Sequence, residues 1–177
     1  MEILRLLRHL WLDTGDARRA LGDDGLARIE ARIRSSETTH SGEICVCVEA
    51  ALPGHLLWRH LRSGESFARL SRERAIELFS AQRVWDTEAN NGVLIYLQLA
   101  EHRVEIVADR GVNRHVTQAH WDALLADVSQ ALRARSLADG IGQAIDGVGD
   151  ALQRHFPWRG TSEVRNEDEL PDRPTLL

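Results

Sequence analysis

Two short segments of the chain are apolar at nearly every position, and they constrain the fold more than any other feature. They are Glu43–Glu49, with the sequence EICVCVE, and Gly92–Leu99, with the sequence GVLIYLQL. A strand that is apolar on both faces is typical of the interior of a sheet that helices cover on both sides. Between the two segments, apolar residues recur at helical spacing over residues 66–83. The sequence therefore predicts a βαβ unit with parallel strands and a right-handed crossover.

A third strand is predicted immediately after the second. Only residues 100–103 separate Leu99 from Val104–Asp109, where Val104 and Ile106 alternate with Glu105 as in a partly exposed strand. A connection this short is compatible only with a hairpin, so the third strand should run antiparallel to the second. Further helices are predicted from apolar spacing over residues 24–36, 117–133 and 136–155. Together these elements predict an α/β fold in which a small mixed sheet lies between helical layers.

The chain divides into three predicted regions. Residues 1–20 form an N-terminal amphipathic helix and a linker, residues 21–157 form the α/β domain, and residues 158–177 form a flexible acidic tail. The first helix has its apolar residues at Ile3, Leu6, Leu7, Leu10 and Trp11. We interpret it as a helix packed on the domain or on a second copy of the chain, in a homodimer. A membrane surface is the alternative partner, for which the helix is only weakly basic.

The charged residues exclude several classes of function. The 177 residues include 27 acidic side chains and 22 arginines but no lysine, for a net charge of −5 with histidine neutral. An acidic chain without a basic run argues against a nucleic-acid partner, because such binding depends on dense contacts to phosphates. The absence of lysine excludes Schiff-base chemistry and a P-loop.

The remaining composition predicts an ordinary intracellular protein. Cys45 and Cys47 are interpreted as buried, unreactive thiols in a reducing compartment, because two cysteines make no disulfide framework. Neither a signal peptide nor a transmembrane segment is recognisable, so the expected location is cytoplasmic. The glycines of the last predicted helix indicate close packing of that helix on the sheet; they are Gly140, Gly142, Gly147 and Gly149.

The predicted topology gathers polar residues at one end of the sheet, where the first two strands begin and the third strand ends. Candidate metal ligands there are Asp86, Glu88, Asn90, Asn91 and Asp109, and candidate ligand-binding residues are Arg110, Glu43 and Asn113. Carboxylate and amide oxygens are what Ca²⁺ or Mg²⁺ requires. Asp, Asn and Gly are also the ordinary residues of turns, which is the competing interpretation. No catalytic nucleophile and no organic cofactor motif is recognisable.

Three motifs, in order, give the chain a family resemblance. They are THSGEICV from Thr39, VWDTEANNGVLIYL from Val84 and RVEIVADRGV from Arg103. Over roughly residues 25–155 the chain resembles the TPM domain, the phosphatase-like domain of thylakoid-lumen and photosystem II repair proteins and their bacterial relatives. The resemblance implies a three-layer α/β/α sandwich around a mixed, mainly parallel sheet of about four strands. Without a recognisable leader or anchor, the chain looks like a soluble bacterial branch of this family.

The resemblance also implies divalent-cation binding and, from some plant members, weak acid phosphatase activity. The family's Asp-Asn-Gly falls on Asn90-Asn91-Gly92 and its glycine-rich turn on Asp109-Arg110-Gly111. Asn90 replaces a carboxylate, and Asp109 is the residue that could restore the charge. Two hypotheses follow: an accessory module for membrane-protein or envelope maintenance, with a protein partner of the LemA-like class, or a metal-assisted phosphoester hydrolase. We favour the accessory module, since kinship of fold does not carry an activity.

Overall fold

The computed structural model describes residues 2–134, 136–158 and 170–177. Its helices are α1 (Glu2–Trp11), α2 (Thr14–Glu37), α3 (Gly54–Ser63), α4 (Phe67–Ala81), α5 (Arg110–Asn113), α6 (Gln118–Ala134) and α7 (Leu137–His155). Its strands are β1 (Ile44–Glu49), β2 (Val93–Gln98), β3 (Arg103–Ala108) and β4 (Thr175–Leu176). Within the described ranges, no helix is both long enough and apolar enough to cross a membrane.

The sheet has the strand order β3-β2-β1-β4. β1 pairs with β2 in parallel, with Ile44 opposite Val93, and β2 pairs with β3 antiparallel, with Val93 opposite Ala108. The predicted parallel pair and hairpin are therefore confirmed. β4 adds a short parallel pairing on the other side of β1, where Cys47 lies opposite Thr175.

Helices cover both faces of the sheet, as the apolar character of β1 and β2 on both faces predicts. On one face the core is formed with α2, α6 and α7, which contribute residues such as Ile33, Trp121 and Ile145. On the other face α4 contributes Ala75, Leu78 and Phe79. The fold is the expected α/β sandwich. A third, smaller apolar cluster joins α1 and α3 to the start of α4, with Leu6, Leu56 and Phe67 among its members.

The segment predicted as a linker before residue 21 is instead the first part of α2. Asp13 and Asp16 form a capping box, in which each side chain accepts a hydrogen bond from the other residue's backbone N–H at 3.0 Å. Ala17 and Leu21 are buried from this part of the helix. A kink at Gly22, with φ of 69°, separates it from the part that the sequence predicts. The kink interrupts the apolar spacing, which is why the two parts do not appear as one pattern.

Residues 170–177 do not form the free tail that the composition predicts. Leu170 and Asp172 are buried, and Leu177 exchanges backbone hydrogen bonds with β1, donating to Val48 and accepting from Ala50. The segment packs there because its backbone pairs with the free N–H and C=O groups along the edge of β1. The rest of the predicted tail, residues 159–169, lies outside the described residues.

The glycines of α7 pack against helices rather than against the sheet. A Cβ atom at Gly140 would lie 2.4 Å from Leu132 of α6, and one at Gly149 would lie 2.2 Å from Ser36 of α2. The glycines therefore allow close packing, as predicted, but at these positions α7 packs closely on α2 and α6 and not, as the sequence predicts, on the sheet. The glycines let α7 approach its two neighbouring helices in the same layer.

Candidate functional site

The amino ends of β1 and β2 and the carboxyl end of β3 lie side by side. This follows from the pairing of Ile44 with Val93 and of Val93 with Ala108. The backbone continues the pairing one step further, since the N–H of Asp109 donates to the carbonyl of Gly92 at 2.9 Å. Asn91, directly before Gly92, therefore lies next to Asp109 at this end of the sheet.

Asn91 is fully buried and most of its polar groups are held. Its backbone N–H donates to Thr87 Oγ1 at 3.0 Å, and its Nδ2 donates to the carbonyl of Ser41 at 2.9 Å. Its Oδ1, by contrast, is buried and has no hydrogen-bond partner among the described residues. The contacts of the amide nitrogen fix the side chain and leave this oxygen available.

Asp109 has the same asymmetry. It caps the short helix α5, and its Oδ1 accepts a hydrogen bond from the backbone N–H of Arg110 at 2.6 Å. Its Oδ2 is buried without a partner in the part of the chain that the structure describes. One buried carboxylate oxygen and one buried amide oxygen, on adjacent elements, are therefore left unsatisfied, which is unusual in a folded protein.

Asn90 and Arg110 link the two loops over this pair. Asn90 has a left-handed backbone with φ of 54°, and its Oδ1 accepts from Arg110 Nε at 2.7 Å. Its carbonyl accepts from the backbone N–H of Gly111 at 3.0 Å. Arg110 thus contacts the amide of Asn90, while the free oxygen of Asp109 has no cation bound to it among the described side chains.

The other predicted residues have different surroundings. Asp86 and Glu88 are exposed in the turn that precedes β2. Asn113 Nδ2 donates to the carbonyl of Ala108 at 2.6 Å, which closes the end of β3. Glu43 is buried and accepts from the backbone N–H of Leu170 at 3.4 Å. Spacing in the sequence groups these residues, but their side chains serve turns, strand ends and the C-terminal segment.

A cluster of carboxyl groups at this end was missed by the sequence reasoning. The pKa of Glu37 is raised to about 9, chiefly by burial and further by the neighbouring carboxyl groups of Glu43 and Asp172. The hydrogen bond that its Oε1 accepts from the backbone N–H of Ile44 lowers the pKa but does not offset these effects. Asp172 also accepts from Arg34 Nε at 3.1 Å. No local signal could reveal this cluster, because Asp172 lies in a segment whose composition resembles a tail.

The two thiols are inert. Cys45 and Cys47 are buried and free, as predicted. Burial raises the pKa of Cys45 to about 11 and moves the pKa of Cys47 upward as well. A thiol in that state is not a nucleophile near neutral pH.

Among the described residues, no three His, Cys, Asp or Glu side chains are grouped so that they could hold a metal ion. Among the buried oxygens without a partner in the described residues, Asn91 Oδ1 and Asp109 Oδ2 belong to the adjacent loops before β2 and after β3. Two orphaned buried oxygens of these types fit a hard cation such as Ca²⁺ or Mg²⁺ and do not fit a softer metal that prefers nitrogen or sulfur.

Comparison with known proteins decides the family. The family model described as TPM domain matches residues 15–151. The chain belongs to the TPM domain family. A solved relative with the same fold is the BA42 protein from the psychrophilic bacterium Bizionia argentinensis, determined by NMR, which is 26% identical with a TM-score of 0.69. The match covers 88% of this chain and 94% of BA42. No curated protein sequence matches the chain significantly.

Proposed function

We propose that this TPM domain is a cation-binding accessory module, in which Asn91 Oδ1 and Asp109 Oδ2 bind one Ca²⁺ or Mg²⁺. The observation that supports the proposal is the burial of both oxygens without a partner. An unsatisfied buried polar atom costs about 1–3 kcal/mol, and a bound cation would remove that cost at both atoms. The site contributes one formal negative charge, so we expect weak affinity, with a Kd of about 10⁻⁴ to 10⁻³ M.

Titration with CaCl₂ and with MgCl₂, followed by amide chemical shifts, tests the site. Binding should shift the amides of residues 90–92 and 109–111 together, with one common Kd. Asp109→Asn should abolish the common response, because the remaining ligands are neutral. Asp127→Asn, at an exposed position of α6, is the matched control and should titrate like the wild type. Independent Kd values for the two loops, or an unchanged titration of Asp109→Asn, would contradict the proposal.

The competing function is a weak metal-assisted phosphoester hydrolase, with Arg110 neutralising the phosphate. The accessory module is favoured because no catalytic nucleophile is recognisable in the sequence, the Ser41 hydroxyl beside Asn91 is engaged, and both thiols are inert. Ser41 Oγ lies 3.4 Å from Asn91 Nδ2 and 3.5 Å from the carbonyl of Phe156, and both thiols are buried. An aryl phosphate with Mg²⁺ distinguishes the functions: turnover that Asp109→Asn abolishes would establish the hydrolase, and equal, background rates would support the module.

An accessory role requires a partner, and the family resemblance makes a LemA-like protein the first candidate. If the cation site organises the docking surface, purified partner should be retained by the wild type in the presence of Ca²⁺ and lost with EDTA. Asp109→Asn should behave like the wild type in EDTA, and Asp127→Asn like the wild type in Ca²⁺. If the partner is retained equally in Ca²⁺ and in EDTA, partner binding does not depend on the cation site.

A further inference from the structure

Helix α1 packs on the domain through Leu6, which joins the small apolar cluster, and through two polar residues, Arg5 and His9. Arg5 donates from Nε to Glu101 at 3.0 Å, and its guanidinium carbon lies 4.7 Å from the centre of the Phe67 ring. His9 is buried, stacks on the same ring at 5.0 Å, and accepts from the backbone N–H of Leu52 at 3.1 Å. In an ordinary surface helix, the apolar side lies against the core.

The outward side of α1 is consequently apolar. Leu4, Leu10 and Trp11 are 67%, 71% and 81% exposed, and Leu7 is 41% exposed. α3, which shares the small apolar cluster with α1, exposes two further large apolar side chains, Trp58 at 63% and Leu61 at 61%. Single exposed leucines need no explanation, but a group of large exposed apolar side chains is typical of an interaction site. We call these six residues the α1–α3 surface.

A cleft of about 850 Å³ opens beside this surface, between α1, the start of α2 and the turn after β2. Its walls include Leu7, Trp11 and Leu99; Arg8 also lines it, as do Arg19 and Asp16, which pair with each other at 2.6 Å. A cleft with apolar walls and arginines has the chemistry that accepts a hydrocarbon chain below an anionic headgroup.

Two arginines of these helices have no acidic partner among the described residues. Arg8 and Arg62 are exposed and pair with no carboxylate in the part of the chain that the structure describes, whereas other arginines do pair, such as Arg74 with Glu49 at 2.7 Å. α1 contains one acidic residue, Glu2 at its first position, and α3 contains none. The outward sides of both helices therefore combine Leu, Trp and Arg, which is the composition of helices that lie in a membrane interface.

We propose that the α1–α3 surface docks on an anionic lipid surface, with Trp11, Trp58 and the leucines among the headgroups and Arg8 and Arg62 at the phosphates. A second copy of the chain is a poorer occupant. A two-fold dimer through this surface would bring like helices together and would place Arg8 and Arg62 of one copy near the same residues of the other.

This proposal is independent of the cation site. The α1–α3 surface lies at the carboxyl ends of β1 and β2, as the contacts of α1 with Leu52 and Glu101 show. Asn91 and Asp109 lie at the opposite end of the sheet. Failure of either proposal therefore leaves the other untouched.

Flotation with vesicles tests the proposal. The full chain should float with vesicles of phosphatidylcholine mixed with phosphatidylglycerol and stay behind with phosphatidylcholine alone. Trp11→Ser should weaken binding about tenfold or more, because burial of one large apolar side chain is worth at least that factor. Trp85→Ser is the matched control, since Trp85 is 49% exposed in the turn before β2, at the other end of the sheet. It should bind like the wild type.

Charge and self-association provide the second arm. Arg8→Glu should weaken flotation at about 0.1 M salt. At about 1 M salt, where charges are screened, the variant and the wild type should float equally weakly. Equal flotation of Trp11→Ser and Trp85→Ser would overturn the proposal, as would equal binding to both vesicle compositions. A dimer in sedimentation velocity that Leu10→Asp dissociates, together with no flotation of the wild type, would assign the surface to a second copy instead.

Discussion

At the scale of single residues, the two carboxylates at the ends of β1 have opposite surroundings. Glu49 is buried but satisfied: Arg74 donates to it from Nε and Nη2, and the Tyr96 hydroxyl donates at 2.7 Å. Glu37, which accepts from the first N–H of β1, instead faces the carboxyl groups of Glu43 and Asp172. A carboxyl group that is desolvated beside other carboxyl groups keeps its proton to a higher pH.

Glu37 should make stability fall as the pH rises. Its pKa is about 9 in the folded chain against 4.5 for the free side chain, so the folded state holds a proton that the unfolded state has lost. The stabilising effect is complete below about pH 4.5 and is lost as the pH rises toward about 9. The side chain of Glu37→Gln is neutral at every pH. As the pH rises, the free energy of unfolding of the variant should therefore increase relative to that of the wild type.

Urea unfolding of both proteins from about pH 5 to about pH 9 measures this difference. Asp127→Asn, which removes an exposed carboxylate from α6, controls for the loss of one acidic group. Parallel pH profiles for wild type and Glu37→Gln would show that Glu37 ionises normally in the folded chain.

At the scale of elements, predictability follows the strength of the local pattern. β1 and β2 are predicted because a run that is apolar on both faces has few alternatives, and β3 follows from the short connection. β4 is not predicted, because it has two residues and its only signal is its pairing with β1, more than a hundred residues away in the chain. The sheet is thus predictable from sequence except for the strand that completes its edge.

The candidate site divides in the same way. Topology predicts that the loops around Asn91 and Asp109 meet, because strand directions fix which ends are adjacent. Which side chain turns toward which partner depends on three-dimensional contacts, so spacing cannot separate Asn91 from Asn113 or Asp109 from Glu43. Asn113 closes β3, and Glu43 faces the C-terminal segment, although both have residue types suited to a cation.

The start of β2 gives a prediction about how elements are joined. A Cβ atom at Gly92 would lie 1.9 Å from the carbonyl oxygen of Val84, because the turn that follows α4 folds back over the strand. The clash would be with the Val84 backbone, which cannot move aside as easily as the end of a flexible side chain. Gly92→Ala should therefore lower the free energy of unfolding by about 3 kcal/mol. Gly54→Ala, at the first position of α3 with no atom within 4 Å, is the matched control and should be neutral or slightly stabilising. Similar urea midpoints for the two variants would contradict this account.

At the scale of the whole molecule, the C-terminal segment closes the open edge of the sheet. Without β4, β1 would present unpaired N–H and C=O groups along an apolar strand, which is a template for pairing with another chain. The segment also brings Asp172 to Glu37 and Leu170 to Glu43, so that it contacts both the edge and one end of the sheet. The fold therefore depends on residues more than a hundred positions apart in the chain.

Deletion of residues 175–177 should test that dependence. The chain would lose the pairing of β4 with β1, the two backbone hydrogen bonds of Leu177 with Val48 and Ala50, and the partial burial of Leu176 and Leu177. We expect a loss of about 3 kcal/mol in the free energy of unfolding. Replacing the same three residues with serine keeps the backbone pairing and removes only the side chains, so it should cost less and leave the chain monomeric. The deletion should also self-associate, measured by sedimentation velocity, because its β1 edge is open. A deletion that is monomeric and as stable as the triple-serine chain would show that side-chain packing, rather than strand pairing, is what β4 supplies.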